Sequence, residues 1–152
     1  MAKIVLFEER YRNDFIRLNT EWIETYFRIE ESDIKTFGHI DDIISDGGQI
    51  FIAIDDDDKA VGCCALVNHP DKGKYELAKM AVSPKAQGHH VGHALGEALM
   101  DYARSHGVRQ IYLEGNTRLV PSIALYRKLG FKEVPLQGIS YQRCDILMEA
   151  TL

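Results

Sequence analysis

The sequence predicts an α/β domain of α+β arrangement, with a mixed, mostly antiparallel central sheet of about six to seven strands flanked by about four helices. Three observations carry this expectation. The chain has 152 residues, 45% of them hydrophobic, enough for one compact core, so residues 1–152 are expected to form a single domain. Three short apolar runs, residues 49–55, 60–68 and 75–82, are separated by turn-rich segments, the pattern of hairpin-linked strands. The last run feeds a glycine-bearing turn and then the longest helically periodic stretch, after which another apolar strand follows at 110–114.

Taken in order, residues 3–8 alternate and are rich in branched side chains, a first strand. Residues 11–27 set Phe15, Leu18, Trp22, Ile23 and Phe27 near helical spacing. A second helix is expected over 33–45 from Ile34, Phe37, Ile40, Ile43 and Ile44, capped by Ser32 or Asp33 and ended by Gly47-Gly48. The run Asp55-Asp56-Asp57-Asp58-Lys59 suits a solvated hairpin tip; a calcium loop would need spaced ligands, a glycine and a terminal glutamate. His69 to Lys74 is a turn, and residues 75–82 are the next strand. Val91, Ala94, Leu95, Ala98, Leu99, Tyr102 and Ala103 recur at i, i+3, i+4 and i+7, an amphipathic helix that Gly107 stops. Residues 116–129 read as a turn and a helix, with Pro121 in its first turn and Gly130 after its end. Residues 131–134 and 143–150 are the final strands.

The junction between strand 75–82 and the long helix holds the densest chemical signal. A helix start presents unpaired backbone N–H groups and the positive end of the macrodipole, which together favour a phosphate. Gly88 and Gly92 remove side chains where a phosphate chain approaches, while Gln87, His89, His90 and His93 offer donors. The turn is neither a P-loop nor a dinucleotide fingerprint, because both glycine patterns are missing. By pattern alone, a phosphate cradle and a plain structural turn stay open.

Gln87-Gly88-His89-His90-Val91-Gly92, after Ala81-Val82-Ser83-Pro84, resembles the acetyl-CoA-binding motif Gln/Arg-x-x-Gly-x-Gly/Ala of the GCN5-related N-acetyltransferase (GNAT) superfamily. Ala124-Leu125-Tyr126-Arg127-Lys128-Leu129-Gly130-Phe131 resembles its second hallmark, Leu-Tyr-x-Lys-x-Gly-Phe. The likeness covers residues 48–150 well and the first third loosely. His90 departs from it, standing where the family has the motif's first glycine. The resemblance implies a GNAT-like fold with acetyl-CoA as co-substrate. It implies a pyrophosphate cradle of Gln87, Gly88, His89, His90, Gly92 and His93, with backbone groups of Met80 and Val82 along the pantetheine arm. Asn116 matches a residue that contacts the cofactor or an ordered water, and Lys128 is carried over as a phosphate contact, with an exposed helix lysine as the alternative. Tyr126 matches the proton donor to the departing thiolate; the other reading is a core aromatic beside Leu125 and Leu129. Glu76 matches the general-base glutamate of the histone-acetylating branch, the alternative being an ion pair with Lys74 or Lys79. The helical region after the first strand walls the acceptor site in such enzymes, which makes Tyr26, Arg28, Glu30 and Glu31 substrate-contact candidates.

Charge narrows the partners. Residues 1–50 hold 6 Lys/Arg against 11 Asp/Glu, while residues 51–152 hold 12 of each, so the net charge of −5 belongs to the N-terminal third. No basic face for nucleic acid is expected, and no apolar run approaches the roughly 20 residues of a membrane span. Met1-Ala2-Lys3-Ile4-Val5 lacks the apolar stretch and small-residue cleavage site of a signal peptide, so none is expected. Cys63, Cys64 and Cys144 read as buried reduced thiols, which fits the cytoplasm. His89 and His93 have metal-ligand spacing, but without an intervening Glu or a further carboxylate ligand no metal is expected. The expected reaction is direct attack of a primary amine, on a small molecule or a peptide, on acetyl-CoA in a ternary complex. Rival readings are a non-catalytic acyl-CoA-binding or sensing module, and transfer of another acyl group or to another acceptor. Dimers are common among proteins of the resembled kind, which leaves a homodimer open.

Overall fold

The structure, a computed structural model, describes residues 2–152. Seven strands form one sheet in the order β1-β2-β3-β4-β5-β7-β6: β1 Lys3–Leu6, β2 Gln49–Ile54, β3 Ala60–His69, β4 Lys74–Val82, β5 Gln110–Gly115, β6 Lys132–Val134 and β7 Ile146–Thr151. Neighbours pair antiparallel except β4 and β5, which run parallel. The helices are α1 Arg12–Tyr26, α2 Glu31–Gly38, α3 Ile40–Ser45, α4 Val91–Ser105 and α5 Val120–Lys128.

Strand alternation divides the core between the two sheet faces. Phe51, Ala53, Cys64 and Leu66 pack under Leu95, Leu99 and Met100 of α4. Ile50, Ile52, Cys63 and Ala65 pack against Phe15 and Leu18 of α1 and Ile40 and Ile43 of α3. Both faces are covered, which is why residues 50–54 read as an unbroken apolar run.

The helix expected over 33–45 is two helices, a correction to the single periodic reading. The backbone leaves helical geometry at His39 (φ −131°, ψ 34°), and Ile40 restarts a short helix whose apolar residues keep the same spacing across the break. The cap is Glu30 rather than Ser32 or Asp33: the Glu30 side chain accepts from the backbone N–H of Asp33, and the Asp33 carboxylate accepts from that of Glu30. This reciprocal pair satisfies two donors that a helix start otherwise leaves unpaired.

Strand β4 carries the feature that matters most for function. Cys63 pairs with Ala81 and Ala65 with Ala78, so three residues of β4 span two of β3. The extra residue is a β-bulge, with Lys79 in the left-handed region at φ 55°. The bulge changes the phase of the alternation: Leu77 lies in the α4 cluster, whereas Ala81, of the same parity, lies in the α1–α3 cluster. Beyond it β4 and β5 separate, and their pairing is confined to Tyr75 with Ile111 and Glu76 with Tyr112.

Candidate active site

Where β4 and β5 part, a cavity of about 100 Å³ opens. Glu76, Leu77, Ala78, Lys79 and Met80 form its β4 wall, and Glu114, Gly115 and Asn116 the wall at the end of β5. From α1 come Asn19, Trp22 and Ile23, from the residue after it Phe27, and from α5 Ser122 and Tyr126. Glu76 and Tyr126 thus meet at one cavity although 50 positions separate them in the chain.

Glu76 is buried, 7% exposed, and its Oε1 lies 2.8 Å from His69 Nε2. Its partner is therefore His69, not Lys74 or Lys79, which corrects the ion-pair alternative. The hydroxyl of Tyr112 donates to the same oxygen at 3.5 Å. Tyr126 is partly buried, with its ring edge-on to Phe131 at 6.2 Å. Burial, and then the nearby Cys64, pushes its phenol up to about 12, so it stays protonated at neutral pH.

Lys79 turns toward α2 instead, where its ammonium bonds to Asp33 and, at 3.0 Å, to the Tyr141 hydroxyl. Arg143 closes the cluster with two hydrogen bonds of 2.8 Å to Asp33 and one of 3.1 Å to Glu30. Burial alone would raise the Asp33 carboxyl, but hydrogen bonds from Arg143, Lys79 and the Glu30 backbone more than offset this and hold it at about 2. Burial lowers the Lys79 ammonium in spite of Asp33. Glu30 also accepts from the backbone N–H of Gln142 at 2.7 Å, while Glu114, its carboxyl raised by burial, accepts from those of Ser140 and Tyr141. Together these contacts fasten the segment between β6 and β7 against α2 and β5.

The four acceptor-wall candidates do not converge. Glu30 is committed to this cluster, whereas Arg28 and Glu31 are exposed. The carbonyl of Tyr26 accepts from Arg118 at 3.2 Å and its ring packs on Trp22 at 4.8 Å. The cavity is lined by the adjacent helix face, Asn19, Trp22 and Ile23 at i, i+3 and i+4, followed by Phe27.

The turn into α4 holds the remaining candidates. Gly88 is left-handed at φ 83°, and a Cβ there would meet nothing within 4 Å, so the backbone is open to a ligand. His90 is left-handed too, φ 62° and ψ 18°, at the N-cap of α4. A histidine in this position thus adopts the conformation that a glycine takes at no steric cost. Gly92 serves close packing: a Cβ would lie 3.2 Å from Leu125 of α5. Gln87 donates to the carbonyl of Val82 at 3.1 Å, and His93 pairs with Glu97 at 2.7 Å. His89 and Lys128 are exposed. Met80 and Val82 are partly buried against the α4 cluster, and the carbonyl of Lys79 between β3 and the bulge accepts from the Cys63 thiol at 3.5 Å. Asn116 donates to the Arg143 carbonyl at 2.7 Å and accepts from the Arg118 N–H at 2.8 Å, shaping the loop after β5.

A diverging sheet with an open backbone turn beside it fits an extended, phosphate-bearing thioester: Gly88, just before α4, faces open space, and the bulge interrupts the regular pairing of β4. Among the described residues no group of three or more potential metal ligands is found, and no helix is long and apolar enough to cross a membrane. Asp33, Lys79, Tyr141 and Arg143 form a unit that no sequence motif marks. Their partners lie up to 110 positions apart, and only the isolated charges in an apolar strand hinted at them.

Comparison with known proteins now adds to the geometry. A family model described as Acetyltransferase (GNAT) family matches residues 13–131. An IAA acetyltransferase of Azospirillum brasilense is 38% identical over 73 residues, 48% of this chain and 48% of that protein, so the match spans about half the length of that relative. A GNAT-family acetyltransferase from Staphylococcus aureus superposes with a TM-score of 0.87 at 18% identity, over 99% of both chains. A GNAT superfamily phosphinothricin acetyltransferase from Sinorhizobium meliloti, in complex with acetyl-CoA, superposes with a TM-score of 0.80 at 21% identity, over 99% of this chain and 88% of that one.

Proposed function

The chain belongs to the GNAT acetyltransferase family, and from that premise we propose that it moves the acetyl group of acetyl-CoA to a primary amine by direct attack within a ternary complex, in a reducing compartment such as the cytoplasm. The observation that carries the proposal is the separation of β4 and β5 beyond the Glu76–Tyr112 pair, with Glu76 from β4 and Tyr126 from α5 both lining the cavity it opens.

The chemistry assigns each wall a task. An alkylammonium with a pKa of about 10 must lose a proton before it can attack. Glu76 takes that proton, directly or through a water. As the nitrogen bonds to the thioester carbonyl, negative charge gathers on the carbonyl oxygen, and a main-chain N–H at the β4 bulge between Ala78 and Ala81 is the donor assigned to it. When the carbon–sulfur bond breaks, Tyr126 gives its proton to the thiolate. The nitrogen gives up its second proton as the adduct collapses, restoring the Tyr126 phenol directly or through a water. The proton taken by Glu76 returns to solvent, so an alkylammonium and acetyl-CoA yield the acetamide, free coenzyme A and one proton. The backbone of Gln87, Gly88, His89, His90, Gly92 and His93 cradles the pyrophosphate, with Asn116 and Lys128 as outlying contacts. The His90 backbone is left-handed, a conformation that glycine adopts at no steric cost, which supports cofactor binding in spite of the substitution.

Calorimetric titration of acetyl-CoA, followed by thiol release over a panel of primary amines, tests the proposal. Micromolar binding with release on one amine class is the expected result. Absence of binding, or binding with no release on any amine, overturns it.

A further inference from the structure

On the sheet face toward α1–α3, strand register sets three polar side chains in a row across three strands. Tyr112 of β5 is opposite Glu76 of β4; Glu76 is opposite Val67 of β3, two positions from His69 on the same face. His69 and Tyr112 both reach the carboxylate, and both contacts fall on Oε1. An ionised carboxylate only accepts hydrogen bonds, so Nε2 of His69 carries the proton in this contact. Its ring also lies 6.0 Å from that of Tyr112, which limits the rotamers open to it.

His69 belongs to a second cavity of about 560 Å³, between α2–α3 and the β3–β4 turn. This space shares Glu76, Ala78, Lys79 and Tyr141 with the smaller one at the β4–β5 separation. Glu76 therefore borders both cavities, while His69 borders only the larger.

We propose that His69 is a positioning residue for acetyl transfer: by holding Oε1 of Glu76 it presents Oε2 to the acceptor amine, and its second protonation, at Nδ1, weakens Glu76 as a base. The proposal rests on the assignment of Glu76 as the base. A doubly protonated ring turns the 2.8 Å contact into a charge-assisted hydrogen bond, which engages the carboxylate more strongly than the neutral ring does and leaves it less available to the amine proton. Histidine changes charge between about pH 5 and 8, within the working range of an amine acylation.

Other titratable groups face the same space. From α2 and α3 these are Lys35, His39, Asp42 and Asp46, and from the turn Asp71 and Lys72. Lys79 and Tyr141 also face it, with Lys79 paired to Asp33. Outside this space Glu114 shares the smaller cavity with Glu76, and Lys74 lies opposite His69 in the register and over the Tyr112 ring. His39 is the second imidazole, but it pairs with Asp42 at 3.1 Å rather than with Glu76. It is therefore the internal control.

The test compares kcat/KM against pH for the wild type, His69→Gln, His69→Ala and His39→Gln, with acetyl-CoA and the amine that the panel selects. Dividing one profile by another cancels the ionisation of the amine. Gln keeps an N–H donor toward Glu76 and cannot titrate, so His69→Gln should stay within about threefold of wild type at pH 8, while His69→Ala should lose about tenfold through misorientation of the carboxylate. The ratio of His69→Gln to wild type should climb as pH falls through the imidazole range, and that of His39→Gln should stay flat. In a Glu76→Gln background, the His69 substitutions should change nothing further. A flat His69→Gln ratio, or equal losses in the Gln and Ala variants, overturns the role of His69. If Glu76→Gln itself leaves kcat unchanged, the base assignment falls instead, a result separable from the first two.

Discussion

Substituting Asp33→Asn isolates the cluster that ties α2, β4 and the β6–β7 segment together. The carboxylate is fully buried and accepts two bonds of 2.8 Å from Arg143, one of 2.8 Å from the Glu30 N–H, and one from Lys79. Asn offers one oxygen and an amino group that must face donors, and it leaves the Lys79 ammonium, 9% exposed as a residue, without its counter-ion. Breaking one side of a buried charge cluster costs about 3–5 kcal/mol. At roughly 2–4 °C per kcal/mol for a chain of this size, the melting temperature should fall by roughly 6–20 °C. Urea titration gives the free energy, and thermal melting followed by far-UV circular dichroism gives the shift. Acid titration supplies an independent reading. Asp33 is held at about 2, below its ordinary value, so its contribution is complete above about pH 4 and is lost as pH falls toward 2. That contribution is about 2 kcal/mol, from the displacement of the carboxyl alone. The wild type should therefore lose stability more steeply than Asp33→Asn between pH 4 and 2. A loss below about 1 kcal/mol at pH 7, with parallel acid profiles, would refute the reasoning that this cluster holds the segments together.

Other outcomes follow from the same geometry. Tyr126→Phe should lower kcat by tenfold or more with acetyl-CoA affinity nearly unchanged, checked by thiol release and calorimetry; an unaltered kcat would take Tyr126 out of the reaction. Glu76→Gln should depress kcat/KM most above the imidazole range, where a neutral His69 leaves the carboxylate its full strength as a base, with the gap to wild type narrowing as pH falls, whereas a uniform loss across the profile would mean a binding or structural role. His90→Gly should raise unfolding free energy by up to about 1 kcal/mol in denaturant, because it relieves a left-handed histidine at φ 62°; a loss of more than that would show the imidazole itself to be holding the turn.

The strands and the long helix could be read from the chain because their signals are local. Residues 91–103 repeat at helical spacing on the face that meets the sheet, and β2 and β3 are bounded by turn residues whose chemistry is set within a few positions. The break at His39 could not be read, since Ile40 and Ile43 continue the period across it and only the backbone shows the interruption. At the site, motif context singles out Glu76 and Tyr126, and both line the cavity. His69 lies seven residues from Glu76 and follows from register once the turn at 70–73 is fixed. Lys79 gave no such lead. Its direction depends on a bulge that inverts the alternation, and its partner Asp33 comes from a helix start 46 positions away. Long-range charge pairing of this kind is decided by tertiary packing and leaves no periodic trace.

Initial rates with acetyl-CoA and the selected amine, each varied at several fixed levels of the other, test the central claim most directly. Direct attack in a ternary complex predicts intersecting double-reciprocal lines, with thiol release only when the amine is present. Parallel lines, or a burst of thiol release from acetyl-CoA alone, would mean an acyl-enzyme and contradict the account.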